Sequence, residues 1–568
     1  MSKTRQYKRT AVLSSIFVLS CGIALDNTRS LSGRLIYERD RSEKIIVNLF
    51  KLRTSSEGRV LPLTKSDIYG ELNPLKSLTL EKPGKYRFEN LTPGHYSILA
   101  FMDIDGNGLV GFDPPEPFGW FASNPSGRWD PIDLTLSNAT DCDFRLRVPT
   151  LFQRQDKIIE HGALRWMKGL PVLQLWGTAE ERGFAHGYLV GKQIIDFFEF
   201  YILEDSWRSA KRYKDTFVPF LEGHLSCPSE FLDECKAVIE GMQKSGVNMR
   251  VDALGRDFNL TDLLSINAYI ERRAASPVAS PSSCTQFAFW GSQKKGSKRI
   301  RNLIAARNMD GECDIRKVTV SHFLVYAVDP SEPGRKRWVS TMWPGFVGTI
   351  SGVNEDGLYS MENAGGSGPG AIPRGVVPCS WIQRIILEKQ GGDASPESVL
   401  QMMKPFTCSL GGITAAGSII LWAVPYMGQE SPAFVFEGGR AGYAIRTPTD
   451  IRPFNPNNIM ASNHHLVYGF DPERPGRSLG RAVSFSSRWR YETGMHTLEA
   501  WSRLEKSAGQ EEAIRLLQQV AHGSTEYSVI FMANERRILI AVDDLKTDLW
   551  DAPYMDWIDY HFDALFVR

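Results

Sequence analysis

The chain has 568 residues with 66 Lys+Arg against 65 Asp+Glu, a net charge of +1, so no bulk field argues for a polyanionic or nucleic-acid partner. Its 42% hydrophobic and 23% charged content is that of an ordinary globular protein with a large core, which excludes a disordered or fibrous chain. The length exceeds what a single core of usual size fills, so more than one domain is expected.

Lys3, Arg5, Lys8 and Arg9 precede an apolar run over residues 11–19, the order of a secretory signal, and that run is too short to span a bilayer. It closes on Val18-Leu19-Ser20-Cys21-Gly22, which resembles a bacterial lipobox with Ser20 as the small residue before a lipid-bearing Cys21. Leu19 departs from that pattern, and an ordinary cleaved signal ending near Cys21 is the alternative. The expectation is a signal peptide over residues 1–21 and an exported lipoprotein, held by its lipid anchor at the outer membrane or the periplasmic face. Cys21 aside, the 8 cysteines leave an odd set, Cys142, Cys227, Cys235, Cys284, Cys313, Cys379 and Cys408, so one thiol stays unpaired within the chain. The others either pair as disulfides or remain reduced and buried.

Short alternating runs at 33–37, 44–50 and 95–101, separated by Gly, Pro and Asn, predict a small all-β sandwich over residues 30–149. The stretch Tyr86-Arg-Phe-Glu-Asn-Leu-Thr-Pro-Gly-His-Tyr-Ser-Ile98 resembles transthyretin-like and carboxypeptidase-regulatory-like modules, which implies an accessory role. Within it Asp103, Asp105 and Asn107 stand two apart around Gly106, like the first half of an EF-hand loop. The twelfth position is Pro114 where a bidentate Glu belongs, with Asp113 and Glu116 nearby. These residues are weak candidates for a structural calcium, or form a plain Asp/Asn/Gly turn. No other cofactor is expected.

Residues 153–568 read as a second, larger unit. Gly183 and Gly187 sit in a helix-prone segment leading into an apolar run over 188–202. Each costs about 1 kcal/mol against alanine there, so close packing is the expected reason for them, and His186 between them is expected to be structural. Cys235, Val238, Ile239 and Met242 fall on one helical stripe, which makes Cys235 a core residue. A second helix is predicted from an N-cap at Thr261 to about Glu271. The Ser/Pro/Ala run over 274–283 then reads as an exposed linker, suited to being cut or merely passive.

Cys284 opens a β-prone run to Trp290, a basic polar turn follows, and the chain is apolar again over 300–306, so a hairpin is predicted that returns Arg307 and Asp310 to Cys284. A cation beside a cysteine favours the thiolate, the nucleophilic form. A buried core cysteine is the alternative. Strands are predicted over 318–328 and 337–342, then a hairpin bend at Gly352-Val-Asn-Glu-Asp-Gly-Leu358. Asn363 follows as a turn residue. Adjacent His464 and His465 point to opposite faces of a strand and complete no metal set.

Cys284-Thr285 with Arg307-Asn308-Met309-Asp310 across a hairpin resembles the cysteine N-terminal-nucleophile hydrolases, nearest to isopenicillin N acyltransferase and related to N-acylethanolamine acid amidase, acid ceramidase, choloylglycine hydrolase and penicillin V acylase. The Gly352–Leu358 turn, Ala461-Ser-Asn463-His-His and Ser486-Ser-Arg488-Trp-Arg fit the same resemblance. It implies an α+β, four-layer αββα sandwich behind the β module, and self-cleavage between Ser283 and Cys284 into two chains that stay associated. The freed α-amine of Cys284 would be the base, Asn463 the oxyanion donor, and Arg307 and Asp310 the groups that set thiol and amine. Asn363 and Arg488 are further oxyanion or substrate candidates, Arg488 being equally readable as a surface residue. The implied activity is hydrolysis or acyl transfer at an amide or thioester carbonyl of a small N-acyl compound or peptide. A phospholipase-B-like lipid hydrolase on the same fold and a non-catalytic surface-binding lipoprotein are the alternatives.

Overall fold

The computed structural model describes residues 28–37, 43–61, 63, 73–111, 115–122, 131–275, 283–291, 302–311, 316–368, 370–451, 456–469, 473, 477–479, 481–503, 508–545 and 551–568. The signal and lipobox residues 1–21, the linker residues 276–282, Asp113, Pro114 and Cys313 lie outside the described residues.

Eight strands come first: β1 (Arg29–Ile36), β2 (Ile45–Lys51), β3 (Lys76–Leu80), β4 (Lys85–Leu91), β5 (His95–Met102), β6 (Phe118–Trp120), β7 (Ile132–Asp133) and β8 (Phe144–Arg145). They make a sheet ordered β4-β1-β8 and another ordered β3-β2-β5-β6, with β7 also on β5. Alternation turns Tyr86 and Phe88 of β4 inward and a register shift brings Leu91 to the same side, where they meet Val47, Leu49 and Ile98 of the facing sheet in a core of their own. The predicted Pro93-Gly94 turn joins β4 to β5, which lie in different sheets.

A ten-stranded sheet begins with β9 (Lys157–Ile159), β10 (Gly162–Met167) and β11 (Leu170–Gly177). Two-residue strands β12 (Arg250–Val251) and β13 (Arg256–Asp257) pair only with each other. Next come β14 (Ser283–Trp290) and β15 (Leu303–Asp310), then β16 (Leu324–Pro330), β17 (Trp338–Met342), β18 (Ser351–Asn354), β19 (Tyr359–Ala364), β20 (Ser418–Ala423), β21 (Ala433–Gly439) and β22 (Gly442–Arg446). The large sheet is ordered β22-β21-β20-β19-β18-β17-β16-β11-β10-β9, and β11 pairs with β16 in parallel. The remaining strands are β23 (Asn458–Ala461), the short pair β24 (Arg477–Ser478) and β25 (Arg481–Ala482), β26 (Thr525–Met532), β27 (Arg537–Val542) and β28 (Ile558–His561). A second sheet, ordered β23-β14-β15-β26-β27-β28, carries Cys284.

Helices α1 (Ala179–Asp196) and α3 (Cys379–Lys389) pack beside the large sheet, with α2 (Ser229–Lys244) against α1, while α4 (Phe485–Arg503) and α5 (Gln510–Gln519) cover the second sheet. Phe287, Phe289, Ile304 and Ile530 of the second sheet meet Leu498, Leu516 and Leu517 of α4 and α5 in one apolar layer. The opposite face of that sheet, with Ala288, Trp290 and Ala305, belongs to the large core shared with the ten-stranded sheet.

The glycines of α1 do what the sequence suggests. A Cβ on Gly187 would lie 1.9 Å from the Val238 carbonyl oxygen, and one on Gly183 2.3 Å from that of Glu234, so both let α1 and α2 approach to backbone contact. His186 is buried, accepts the Gly345 N–H at 3.0 Å and is driven down to a pKa of about 3 by burial, so it is a neutral structural imidazole. Cys235 is fully buried on α2.

Three local expectations differ from the structure. The helix expected from Thr261 to Glu271 runs Leu260–Asn267, because Asn259 and Asp262 close a reciprocal capping box two residues earlier. Residues Val318–Ser321, expected as strand, form one helical turn before β16. Asn363, expected at a turn, lies inside β19. Among the described residues Cys142, Cys227, Cys235, Cys284, Cys379 and Cys408 are all free thiols.

The β module meets the rest of the chain through buried charge. Arg147 reaches Glu204 at 2.6 Å and Glu199 at 3.0 Å, and Arg316 reaches the other oxygen of Glu204 at 2.8 Å while lying 4.4 Å over the Trp120 ring.

Candidate active site

Antiparallel pairing sets Ser283 opposite Asp310, Cys284 opposite Met309 and Gln286 opposite Arg307. Side chains of a strand alternate between faces, so the hairpin divides its functional groups. Cys284, Arg307 and Met309 point between the two sheets, whereas Thr285 and Asp310 point toward the helices α4 and α5.

On the inner face, Arg307 Nη2 lies 3.2 Å from Cys284 Sγ and 3.0 Å from Met309 Sδ, and the two sulfurs are 3.6 Å apart. The guanidinium also donates to the carbonyl oxygens of Ile350, at 2.8 Å, and Glu362 and to the Ser351 hydroxyl. Burial pulls its pKa down, but the facing Cys284 thiol and Tyr527 outweigh that and leave it above the ordinary arginine value. Arg307 is therefore a fixed positive charge on the thiol. Cys284 itself is 2% exposed.

On the outer face, Asp310 is fully buried, takes the Thr525 hydroxyl at 2.5 Å on one oxygen, and has His522 Nε2 at 3.4 Å and Arg490 Nη1 at 3.8 Å on the other. Arg490 connects this side to Cys284. Its Nη1 donates to the Cys284 carbonyl oxygen at 2.5 Å and to Thr285 Oγ1 at 2.7 Å, and its Nη2 donates to Asn463 Oδ1 at 2.8 Å. Burial lowers its pKa and Asp310 opposes that shift.

Asn463 reaches Cys284 with its oxygen instead of its amide. Asn463 Oδ1 accepts the Cys284 N–H at 2.9 Å, while its Nδ2 donates to the Ala364 carbonyl at 2.9 Å. Asn363 brings its Nδ2 to the Cys284 carbonyl oxygen at 3.2 Å and to those of Ala461 and Ser462 at 3.2 and 3.1 Å. Thus the oxyanion donation expected of Asn463 is not its contact in this structure, and the amide beside the Cys284 carbonyl is that of Asn363.

Of the two arginines in the Ser486–Arg490 segment, Arg490 is the one set against Cys284. Arg488 stands exposed on α4 and pairs with Glu492 at 2.7 Å, whereas Arg490 is buried against Cys284. Two residues along a helix turn the side chain by about 200°, so these two cannot share a face. Arg490, Thr525 and His522 were not singled out from sequence. Helical phase would have separated Arg490 from Arg488, but no local signal marks the other two.

In the β module Asp103, Asp105 and Glu116 bring carboxylate oxygens within 4.8 Å of one another, so Glu116 takes the place near the loop that the twelfth position leaves vacant. Asn107 donates its Nδ2 to Asp105 at 2.7 Å and accepts the Leu109 N–H on Oδ1 at 2.6 Å. Glu116 accepts backbone N–H groups of Ile104 and Gly111 at 2.5 and 2.8 Å, and Asp103 accepts that of Gly108 at 3.2 Å, so the turn is closed by its own donors.

Two cavities of about 690 and 720 Å³ open elsewhere, one between α1, α2 and β9, the other between the β module and the α1 side, and neither is lined by Cys284 or its partners. No helix among the described residues is long and apolar enough to cross a membrane.

No family model and no curated protein matches the sequence. Among solved structures, the chain is similar to a Caenorhabditis elegans N-acylethanolamine-hydrolyzing acid amidase ortholog at 14% identity and a TM-score of 0.30, over 44% of this chain and 93% of that one. It is similar to a mutant of the conjugated bile acid hydrolase from Clostridium perfringens at 11% and 0.29, over 48% and 96%. For the penicillin V acylase from Agrobacterium tumefaciens the values are 11% and 0.26, over 46% and 83%. At such identities and scores the functional reading stands on the geometry around Cys284.

Proposed function

We propose that the chain is a cysteine amidohydrolase or acyltransferase that cuts itself between Ser283 and Cys284 and then works through an acyl-enzyme on Cys284. One observation carries this reading: the Cys284 thiol lies 3.2 Å from a buried arginine, while the N–H of the same residue, the nitrogen of the bond to be cut, is held 2.9 Å from Asn463 Oδ1. An inert core cysteine needs neither contact.

In self-cleavage the sulfur attacks the Ser283 carbonyl carbon, the C–N bond breaks, and the thiol proton passes to the Cys284 nitrogen, leaving a thioester and a free amine. Water then hydrolyses the thioester to the Ser283 carboxylate and the thiol. In turnover the thiolate, favoured by Arg307, attacks an amide or thioester carbonyl, and the α-amine of Cys284 passes the proton to the leaving group. The acyl group ends on water or on an acceptor amine. Asn463 and Arg490 fix the nitrogen and the carbonyl of Cys284, so the new amine is anchored on both sides of its Cα.

The finer assignments belong to the same proposal. Helices over both outer faces of two stacked sheets support the four-layer reading of residues 153–568, and the separate apolar core of β1–β8 supports an accessory module over residues 30–149. Export and lipidation at Cys21 rest on the sequence pattern alone. N-terminal sequencing of the purified protein is the direct test. Two chains, the second beginning Cys-Thr-Gln-Phe, together with a single chain for Cys284→Ala, are expected. An intact and fully active wild-type chain overturns the reading.

A further inference from the structure

Beyond the groups that touch Cys284, Asn463 is gripped by a second set of residues, and this inference rests on the function proposed above. Its backbone N–H donates to Ser487 Oγ at 2.8 Å. Ser487 Oγ lies 2.7 Å from His464 Nδ1 and 3.0 Å from Ser462 Oγ, and Ser462 Oγ donates to the Ser487 carbonyl at 2.9 Å. Ser487 and Arg490 stand three residues apart, on one face of α4, so the same helical turn holds Asn463 by its main chain and by its Oδ1. Ser484 Oγ accepts the Ser487 N–H at 3.2 Å and so secures the start of that turn.

Proton bookkeeping gives the network a direction. Burial depresses His464 to about 4, so the imidazole is neutral at working pH. The Ser487 hydroxyl has one proton. It already accepts from Asn463, Ser462 spends its own proton on the Ser487 carbonyl, and of the two acceptors then within reach, Ser462 Oγ at 3.0 Å and His464 Nδ1 at 2.7 Å, the shorter contact favours His464 Nδ1. The His464 proton then sits on Nε2, and the ring packs edge-on to Tyr491 with centroids 5.5 Å apart.

We propose that Ser487 and His464 are positioning residues: they fix the main chain at Asn463, and through it the acceptor that orients the nitrogen of Cys284 in self-cleavage and in turnover. Ser487 is 1% exposed and its hydroxyl is taken up by Asn463, Ser462 and His464, so its effect falls on the geometry of the reacting amine and not on substrate binding.

The test uses the full chain and an N-acyl aminomethylcoumarin probe, with self-cleavage followed by the appearance of the Cys284 N-terminus. Ser487→Ala is expected to slow both self-cleavage and kcat by about 10- to 100-fold with KM nearly unchanged. Ser487→Thr, which keeps the hydroxyl, is expected to restore most of the loss. His464→Phe removes the acceptor and keeps the ring, and is expected to slow both rates, whereas His464→Asn, whose Oδ1 can replace Nδ1, is expected to restore them. The His464 pair decides the matter should Ser487→Ala fold poorly. Wild-type rates in Ser487→Ala and His464→Phe, a change in KM alone, or no rescue by Thr and Asn would overturn the assignment. A wild-type chain that neither cuts itself nor turns over the probe defeats the proposed function instead, so the two failures are distinct.

Discussion

Arg490 holds Cys284 by its carbonyl oxygen, at 2.5 Å from Nη1, and by way of Asn463 Oδ1 also faces its nitrogen. Arg490→Lys keeps the charge but cannot span three acceptors with one planar fork, so self-cleavage and kcat should fall by about 10-fold or more while the protein stays folded. Arg490→Ala should in addition cost about 3–5 kcal/mol of stability, because Asp310 is left buried with a lost cation. Arg488→Ala, on the exposed side of the helix, should change neither. Kinetics with the same probe and a denaturation curve for each variant check all three.

Arg307 is the only cation whose contact with Cys284 Sγ is found among the described residues. Arg307→Ala should slow iodoacetamide alkylation of the processed enzyme at neutral pH and slow acylation in parallel. Arg307→Lys should recover part of both, since the ammonium supplies charge without the additional bonds to Ile350 and Glu362. Equal alkylation rates in all three proteins would separate Arg307 from thiol activation.

Glu271 gives a pH signature of its own. Burial pushes it up to about 8, with Glu362 adding repulsion and the Cys379 N–H at 2.8 Å and Arg273 opposing. A folded-state pKa above the unfolded value means the stabilisation is full at pH below the unfolded carboxylate range. It is lost as pH rises toward about 8 and is level beyond that. Glu271→Gln keeps an acceptor for Cys379 and removes the titration. Its stability relative to wild type should grow from pH 5 to pH 8 by a few kcal/mol in order of magnitude. Urea midpoints across that range are the measurement, and parallel curves would exclude Glu271 as the titrating group.

Gly187→Ala should destabilise the chain by about 1–3 kcal/mol, because the added methyl meets the Val238 carbonyl and α1 must move off α2. Gly223→Ala, with open space at its Cβ, serves as control. A common denaturation midpoint for the two variants would contradict the packing role.

Much of this was written locally in the chain. The hairpin of β14 and β15 shows as two apolar runs around a polar turn, and the α2 stripe as a 3.6-residue period. Strand parity was available too: Arg307 and Asp310 are three apart in one strand, so only one of them shares the face of Cys284, although both were expected beside the thiol. Helical phase likewise distinguishes Arg490 from Arg488. Other features were not legible. Which end of the Asn463 amide meets Cys284 is a rotamer choice made by Ala364 and Arg490, and Asp310 meets His522 and Thr525 across more than 200 residues of chain. The parallel pairing of β11 with β16 has no local signal at all.

That pairing bears on what becomes of a cut chain. Val172 to Gly177 lie in register with Val325 to Pro330, on opposite sides of the Ser283–Cys284 bond in sequence. Glu204 and Arg316, on either side of the same bond, are joined by a buried ion pair. Cleavage would therefore remove one covalent link, in the second sheet, while the ladder of the ten-stranded sheet runs straight across both products. The pieces would be born as partners, with no encounter step to set their ratio, and gel filtration under native conditions should return them as one particle that separates only in denaturant.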